Sequence, residues 1–305
     1  MKKLLKKALY SLLIPVLALG AVSSLNSCKK EGCMDEKATN FDEKAKKDDG
    51  MCEYDTIVIV RPNTENLKKI GEFELADIST DVAVYSTGDL VVGYNTLYFA
   101  ATNPETGGVI DDGHFEVAPM MAMNAGHEHG TPVVSEALST LNDEGLYEMG
   151  VYFVMGSMGG QWRLEIEFHN HAESAHEEKI LEVEVKEPTD LISGSFTTTD
   201  DSTSLFVCWV MKEDPIVGMN DFEVAVFKRE SMMSWPPLDG LTIEIEPEMP
   251  TMNHGSPGNV NPTGSGNGIY TGKVNFTMTG YWKVNMDIKR AGSKISSDFY
   301  LDYTL

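Results

Sequence analysis

Met249, Met252 and His254 put two thioethers and an imidazole into one short segment, Met249-Pro250-Thr251-Met252-Asn253-His254-Gly255-Ser256-Pro257. A thioether is a soft, neutral ligand that suits Cu(I), whereas hard cations want oxygen. It needs no deprotonation and forms no disulfide, so it stays usable in an oxidising compartment. Met252 and His254 are two apart and would share a face if extended. Met249 and Met278 could complete a set of three sulfurs and one imidazole. The same chemistry occurs earlier in the chain, where Met120, Met123 and Met155 accompany His129, with His127 as an extra imidazole. Packing is the competing reading. Methionine fills cores readily, Met155 and Met278 read more as core than as ligands, and either histidine could be a turn residue bonded to backbone. The recurrence of the cluster is what weighs for a metal.

That recurrence is part of a longer repeat. Gly145-Leu146-Tyr147, Phe153-Val154-Met155 and Trp162 answer Gly268-Ile269-Tyr270, Phe276-Thr277-Met278 and Trp282, and Val92-Gly93-Tyr94-Asn95 answers Val217-Gly218-Met219-Asn220. A unit this long is a duplicated domain, well beyond a solenoid period.

The elements that must position these residues read as β nearly throughout. Strands are expected over 56–60, 82–85, 97–100, 115–117, 147–155 and 162–168 in the first copy. In the second they are expected over 222–227, 241–245 and 282–288, with 205–210 a buried apolar strand carrying Cys208 as an inert thiol. Gly, Pro, Asn and Asp clusters punctuate them at short intervals. The stretch 169–178, with His169, His171 and His176, reads as a polar loop with incidentally exposed histidines. Short strands and regular turns predict an all-β fold of two tandem immunoglobulin-like β-sandwiches, over 55–188 and 189–305.

Each copy resembles the YtkA-like domain, related to the FixH accessory proteins of cytochrome oxidase assembly. The shared pattern is Gly-x-Asn, then Met-Pro-x-Met-x-His-Gly, Gly-x-Tyr, Phe-x-Met and a Trp strand. The second copy carries it at Gly218, Asn220, Met249, Pro250, Met252, His254, Gly255, Gly268, Tyr270, Phe276, Met278 and Trp282. The first departs: Met121 stands where Pro250 does, Met123 to His129 is four residues longer than Met252 to His254, and residues 156–161 lengthen the turn before Trp162. The resemblance covers most of residues 80–305. It implies an extracytoplasmic β-sandwich, often near respiratory or copper handling, with the second site the more regular.

Residues 1–27 read as a lipoprotein signal peptide. Lys2, Lys3, Lys6 and Lys7 precede a short apolar run, and Leu25-Asn26-Ser27-Cys28 resembles a lipobox with Asn26 in place of the usual small residue. Cys28 would carry the lipid that anchors the chain to a membrane. No aspartate follows it to argue for inner-membrane retention, so display in the periplasm or at the outer-membrane surface is open. Over 28–54, Cys33 and Cys52 bracket an acidic mini-module and form the natural disulfide pair in an exported protein. Closing that loop contributes roughly 3 kcal/mol in the chain-entropy picture. Asp35, Asn40, Asp48 and Asp49 offer calcium hard oxygens, without EF-hand spacing.

The formal charge of -23 falls to -27 once the four leader lysines are removed. Such a polyanion is repelled by nucleic acid and favours cations. No phosphate loop, nucleophile elbow or His-Glu-x-x-His motif occurs, and His127-Glu128-His129 is not the zinc-protease spacing. An enzyme is not expected. The reading is a lipid-anchored extracytoplasmic protein that binds copper or another soft metal; the alternative is a metal-free module that contacts a neighbouring envelope protein.

Overall fold

The computed structural model describes residues 30–53, 59–135 and 137–305. The signal peptide and Cys28 lie outside them. So does most of the strand expected over 56–60, and Ile59 and Val60 belong to no strand. The described residues fall into two compact units, one within 30–53 and one from 59 onward. No helix among the described residues is long and apolar enough to cross a membrane.

In the small body, Glu31–Gly32 pairs in parallel with Lys47–Asp48, and Cys33 is bonded to Cys52. Asn40 closes the loop, donating its amide to the Met51 carbonyl at 2.7 Å and accepting the Glu53 N–H at 2.8 Å. Asp48 and Asp49 accept the N–H groups of Gly50 and Met51. Asn40, Asp48 and Asp49 therefore each hold a turn, as short polar side chains do in acidic loops.

The large body contains two sandwiches. The first is built from β1 (Lys68–Leu75), β2 (Thr80–Ser86), β3 (Gly93–Thr102), β4 (Gly113–Met123), β5 (Glu128–Gly130), β6 (Tyr147–Phe153), β7 (Gly160–Asn170) and β8 (Ala175–Val183). One antiparallel sheet runs β6-β3-β2-β1 and the other β8-β7-β4-β5. The second comprises β9 (Ser193–Thr197), β10 (Ser204–Trp209), β11 (Gly218–Lys228), β12 (Leu241–Met249), β13 (His254–Gly255), β14 (Val260–Gly266), β15 (Ile269–Phe276), β16 (Tyr281–Arg290) and β17 (Tyr300–Thr304). Its sheets run β9-β10-β11-β15-β14 and β13-β12-β16-β17.

Strict alternation makes these strands. In β7, Trp162, Leu164, Ile166 and Phe168 point into the core while Arg163, Glu165 and Glu167 face out. Trp282, Val284, Met286 and Ile288 do the same in β16. Burying each such side chain stabilises the fold by about 1.5–3 kcal/mol.

A third apolar cluster joins the sandwiches. Tyr152 of the first packs with Phe206, Cys208, Ala225 and Phe227 of the second. These residues lie on the faces of β6, β10 and β11 that point away from their own cores. Cys208 is a free, fully buried thiol there, and burial pushes it well above the ordinary cysteine range. Its inertness thus comes from the seam between sandwiches.

One expectation fails in this region. Residues 169–178 are not a loop: His169 lies in the last two residues of β7 and His176 sits in β8, paired across the sheet, with only a tight turn between the strands.

Candidate functional site

The repeated residues fall into ties that hold the scaffold and a cluster that could hold a ligand. Asn95 accepts the Val91 N–H and donates to the carbonyls of Val91 and Gly93. Asn220 makes the same three bonds to Ile216 and Gly218. Gly93 and Gly218 have φ of 114° and 120°, which only glycine adopts without strain, so the Gly-x-Asn motif is a turn device. Tyr147 donates its hydroxyl to the Ile110 carbonyl at 3.0 Å, and Tyr270 to that of Leu238 at 2.8 Å. Burial raises both phenols, Tyr147 to about 12. The indoles complete the set, Trp162 donating to the Met155 carbonyl and Trp282 to that of Met278, both at 2.9 Å.

In the first sandwich, β4 is flanked by β5 and β7. Met121 lies directly opposite His129 on one side and Trp162 on the other, so all three side chains share the inner face. Met155 leaves the end of β6 and arrives at the same place. Gly159 leaves room for both methionines: a Cβ there would lie 2.4 Å from the Met155 methyl and 3.6 Å from that of Met121. His129 is only 2% exposed and meets Trp162 edge-on. Its Nδ1 lies 2.9 Å from the Gly130 carbonyl, and its Nε2 lies 3.1 Å from the Met155 sulfur. A carbonyl only accepts, so Nδ1 carries the hydrogen. In the neutral ring, Nε2 then presents a lone pair to a thioether that also offers lone pairs.

The second sandwich repeats the frame with a looser site. Met249, 4% exposed, lies opposite His254, and one further step of the β12–β16 register brings it to Trp282. Its methyl is 2.8 Å from where a Cβ on Gly280 would stand. Met278, half-buried, packs against the same core. His254 is half-buried and meets Trp282 edge-on, but its Nε2 is 3.1 Å from the Thr277 hydroxyl. Met252 does not share a face with His254. It sits at the hairpin tip, 60% exposed, because residues 250–253 form a turn instead of continuing the strand.

The register also corrects the correspondence between copies. Met121, and not Met120, is the partner of Met249, since each faces the histidine and the tryptophan of its own copy. Met120 lies on the other face of β4, buried beside Gly130, whose N–H donates to the Met232 carbonyl. Met123 is half-buried and His127 exposed in the β4–β5 turn. The site thus gathers Met121, His129 and Met155 in one copy; in the other, Met249 faces His254 and Met278 packs against the same core. Alternation held the missing signal. Of Met120 and Met121, only one can face inward, and the parity of Phe115 and Val117 selects Met121.

No curated protein matches the chain. Among solved structures, invasin, a bacterial integrin-binding protein, is 9% identical over 73% of this chain, with a TM-score of 0.24. The chain spans 39% of that invasin structure. A conserved domain protein from Bacillus anthracis is 10% identical over 82% of this chain and 95% of its own, with a TM-score of 0.28. A three-Ig fragment of titin is 9% identical over 71% of this chain and 61% of its own, with a TM-score of 0.17. At such scores these likenesses carry no functional argument. Residues 200–287, from the turn before β10 through most of β16, match the YtkA-like family model, so the likeness to that family lies in the second sandwich.

Proposed function

We propose that this protein is a lipid-anchored, extracytoplasmic binder of Cu(I) or another soft metal, with one imidazole–thioether site in each of two tandem YtkA-like sandwiches. The observation that carries this is the 3.1 Å approach of His129 Nε2 to the Met155 sulfur, with the ring's other nitrogen committed to a carbonyl. Two lone pairs aimed at each other have no mutual attraction, and a soft cation between them would supply it. An imidazolium donating to sulfur is the metal-free alternative. Met121 would be the third donor, and Met249, His254 and Met278 the corresponding set in the second sandwich. The leader-like residues 1–27 and the lipobox-like run that ends at Cys28 support a location in the cell envelope, facing the periplasm or the surface. A metal-free interaction module draws support from one feature: Ile216, Val217, Met219 and Val260 stand exposed on the second sandwich.

The test is a competition titration of the full chain, in detergent, against a chromogenic Cu(I) chelator. The wild type is expected to retain copper, and Met155→Leu and His129→Ala to surrender it. Leucine keeps volume and apolarity, so the fold should tolerate Met155→Leu at under about 1.5 kcal/mol. If the folded wild type yields all its copper to a weak chelator, or both variants match it, the metal reading fails and the interaction module stands.

A further inference from the structure

The outer face of the first sandwich carries a second constellation, remote in kind from the methionine sites. His114 on β4, His169 on β7 and His176 on β8 lie directly opposite one another across three adjacent strands. Their rings stack, His114 on His169 at 4.3 Å and His169 on His176 at 4.9 Å. The next outward row is Glu116, Glu167 and Glu178, again directly opposite. Like charges placed so are destabilising. Among the described residues, no lysine or arginine pairs with these three glutamates.

We propose that this ladder binds one borderline divalent transition-metal cation through Glu167, His169 and His176. Glu167 Oε1 stands 3.3 Å from His169 Nε2 and 3.4 Å from His176 Nε2. With Zn–N near 2.0–2.1 Å and Zn–O near 2.0–2.2 Å, neighbouring ligand atoms of a tetrahedral ion lie about 3.3–3.5 Å apart. The spacing is therefore that of a coordination edge. His169 Nε2 is shielded from solvent and makes no hydrogen bond, which leaves a buried nitrogen in want of a partner. The donor atoms of the triad all fall within 4.8 Å of one another, and His176, with its side chain 61% exposed, is free to adjust and leaves a solvent-facing position open.

A neighbouring triad of His114, Glu116 and His169 shares the central ring, so the two cannot both fill independently. Its polarity is set from outside. Asp112 lies 3.1 Å from His171 Nδ1 and, with His171 neutral, Nδ1 donates to it and Nε2 accepts from His114 Nδ1 at 2.9 Å. His114 Nε2 is then left bare on the side of Glu116. Imidazole with carboxylate selects Zn2+, Cu2+ or Ni2+ over both Cu(I) and calcium. This site is independent of the soft-metal reading, and either can fail alone.

The test uses the full chain stripped with EDTA and titrated with Zn2+ against a chromogenic chelator. One equivalent of zinc should be retained and should raise the melting temperature. Loss of an outer-shell partner already weakens metal sites by about 10- to 100-fold, so His169→Asn and His176→Asn should weaken retention at least that much. His127→Asn, in the exposed β4–β5 turn, should leave it unchanged. His176→Asn decides if His169→Asn misfolds, because its side chain is mostly in water. Absence of retention by the wild type, equal retention by His176→Asn, or displacement of zinc by millimolar Ca2+ would overturn the proposal.

Discussion

The two methionine–histidine sites share every scaffold tie and differ in how deep the imidazole sits. His129 is enclosed and its Nε2 faces sulfur; His254 is half-buried and its Nε2 faces the Thr277 hydroxyl. The difference lies in the hairpin between the paired strands. Eight positions separate Met121 from His129, but only five separate Met249 from His254. The longer hairpin adds a residue to β5 and lays the ring beneath the end of β6. The copy with the less regular motif therefore has the more closed site. Motif regularity tracks the turn chemistry of the hairpin, while ligand geometry follows from its length.

The largest expected effect breaks the assignment of Met121. Met121→Ala should cost about 2–5 kcal/mol in urea denaturation, as deletion of a fully buried methionine does. Met252→Ala should stay within about 0.5 kcal/mol, as for an exposed surface residue. Equal losses would mean that the register has been misassigned.

The asparagine ties give a smaller contrast. Asn95 is buried and Asn220 only partly so, hence Asn95→Ala should cost about 2 kcal/mol and Asn220→Ala about 1 kcal/mol, the former leaving buried backbone groups unpaired. A reversed order in chemical denaturation would contradict equivalent roles for the two turns.

The smallest effect concerns alkali. A buried phenol raised in the folded state contributes stability that is complete below its unfolded pKa, near 10. That contribution is lost as pH rises toward the folded value, about 12 for Tyr147. The wild type should therefore weaken between pH 10 and 12. Tyr147→Phe should weaken less over that interval, after an initial cost of about 1 kcal/mol at neutral pH. Tyr270→Phe should follow the same sign. An unchanged alkaline slope in both variants would show that the hydroxyls are not what titrates.

Much of the scaffold was legible because alternation is written plainly in β7 and β16. The pairing of Cys33 with Cys52 and the burial of Cys208 were legible too. β8 was not. Its sequence is Ala-His-Glu-Glu-Lys-Ile-Leu-Glu-Val, and as an edge strand it turns little more than Leu181 and Val183 inward. Neither alternation nor β-propensity marks such a segment; pairing with β7 imposes the strand, and the histidine ladder follows from that pairing. The cluster was legible in residue type but not in membership. Met252 and His254 would share a face only in an extended chain, and Asn253, with φ of 49°, turns the chain there instead.

The most direct measurement is a titration of the full chain, labelled at methionine methyl groups, with Ag(I) as a redox-inert stand-in for Cu(I), followed by NMR. The Met155 and Met121 methyl resonances should move first, at substoichiometric silver. Those of Met249 and Met278 should follow, and that of exposed Met252 should stay in place until silver is in excess. A first response at Met252, or a uniform drift of all methionines, would contradict the assignment of the soft-metal site to the enclosed His129–Met155 pair.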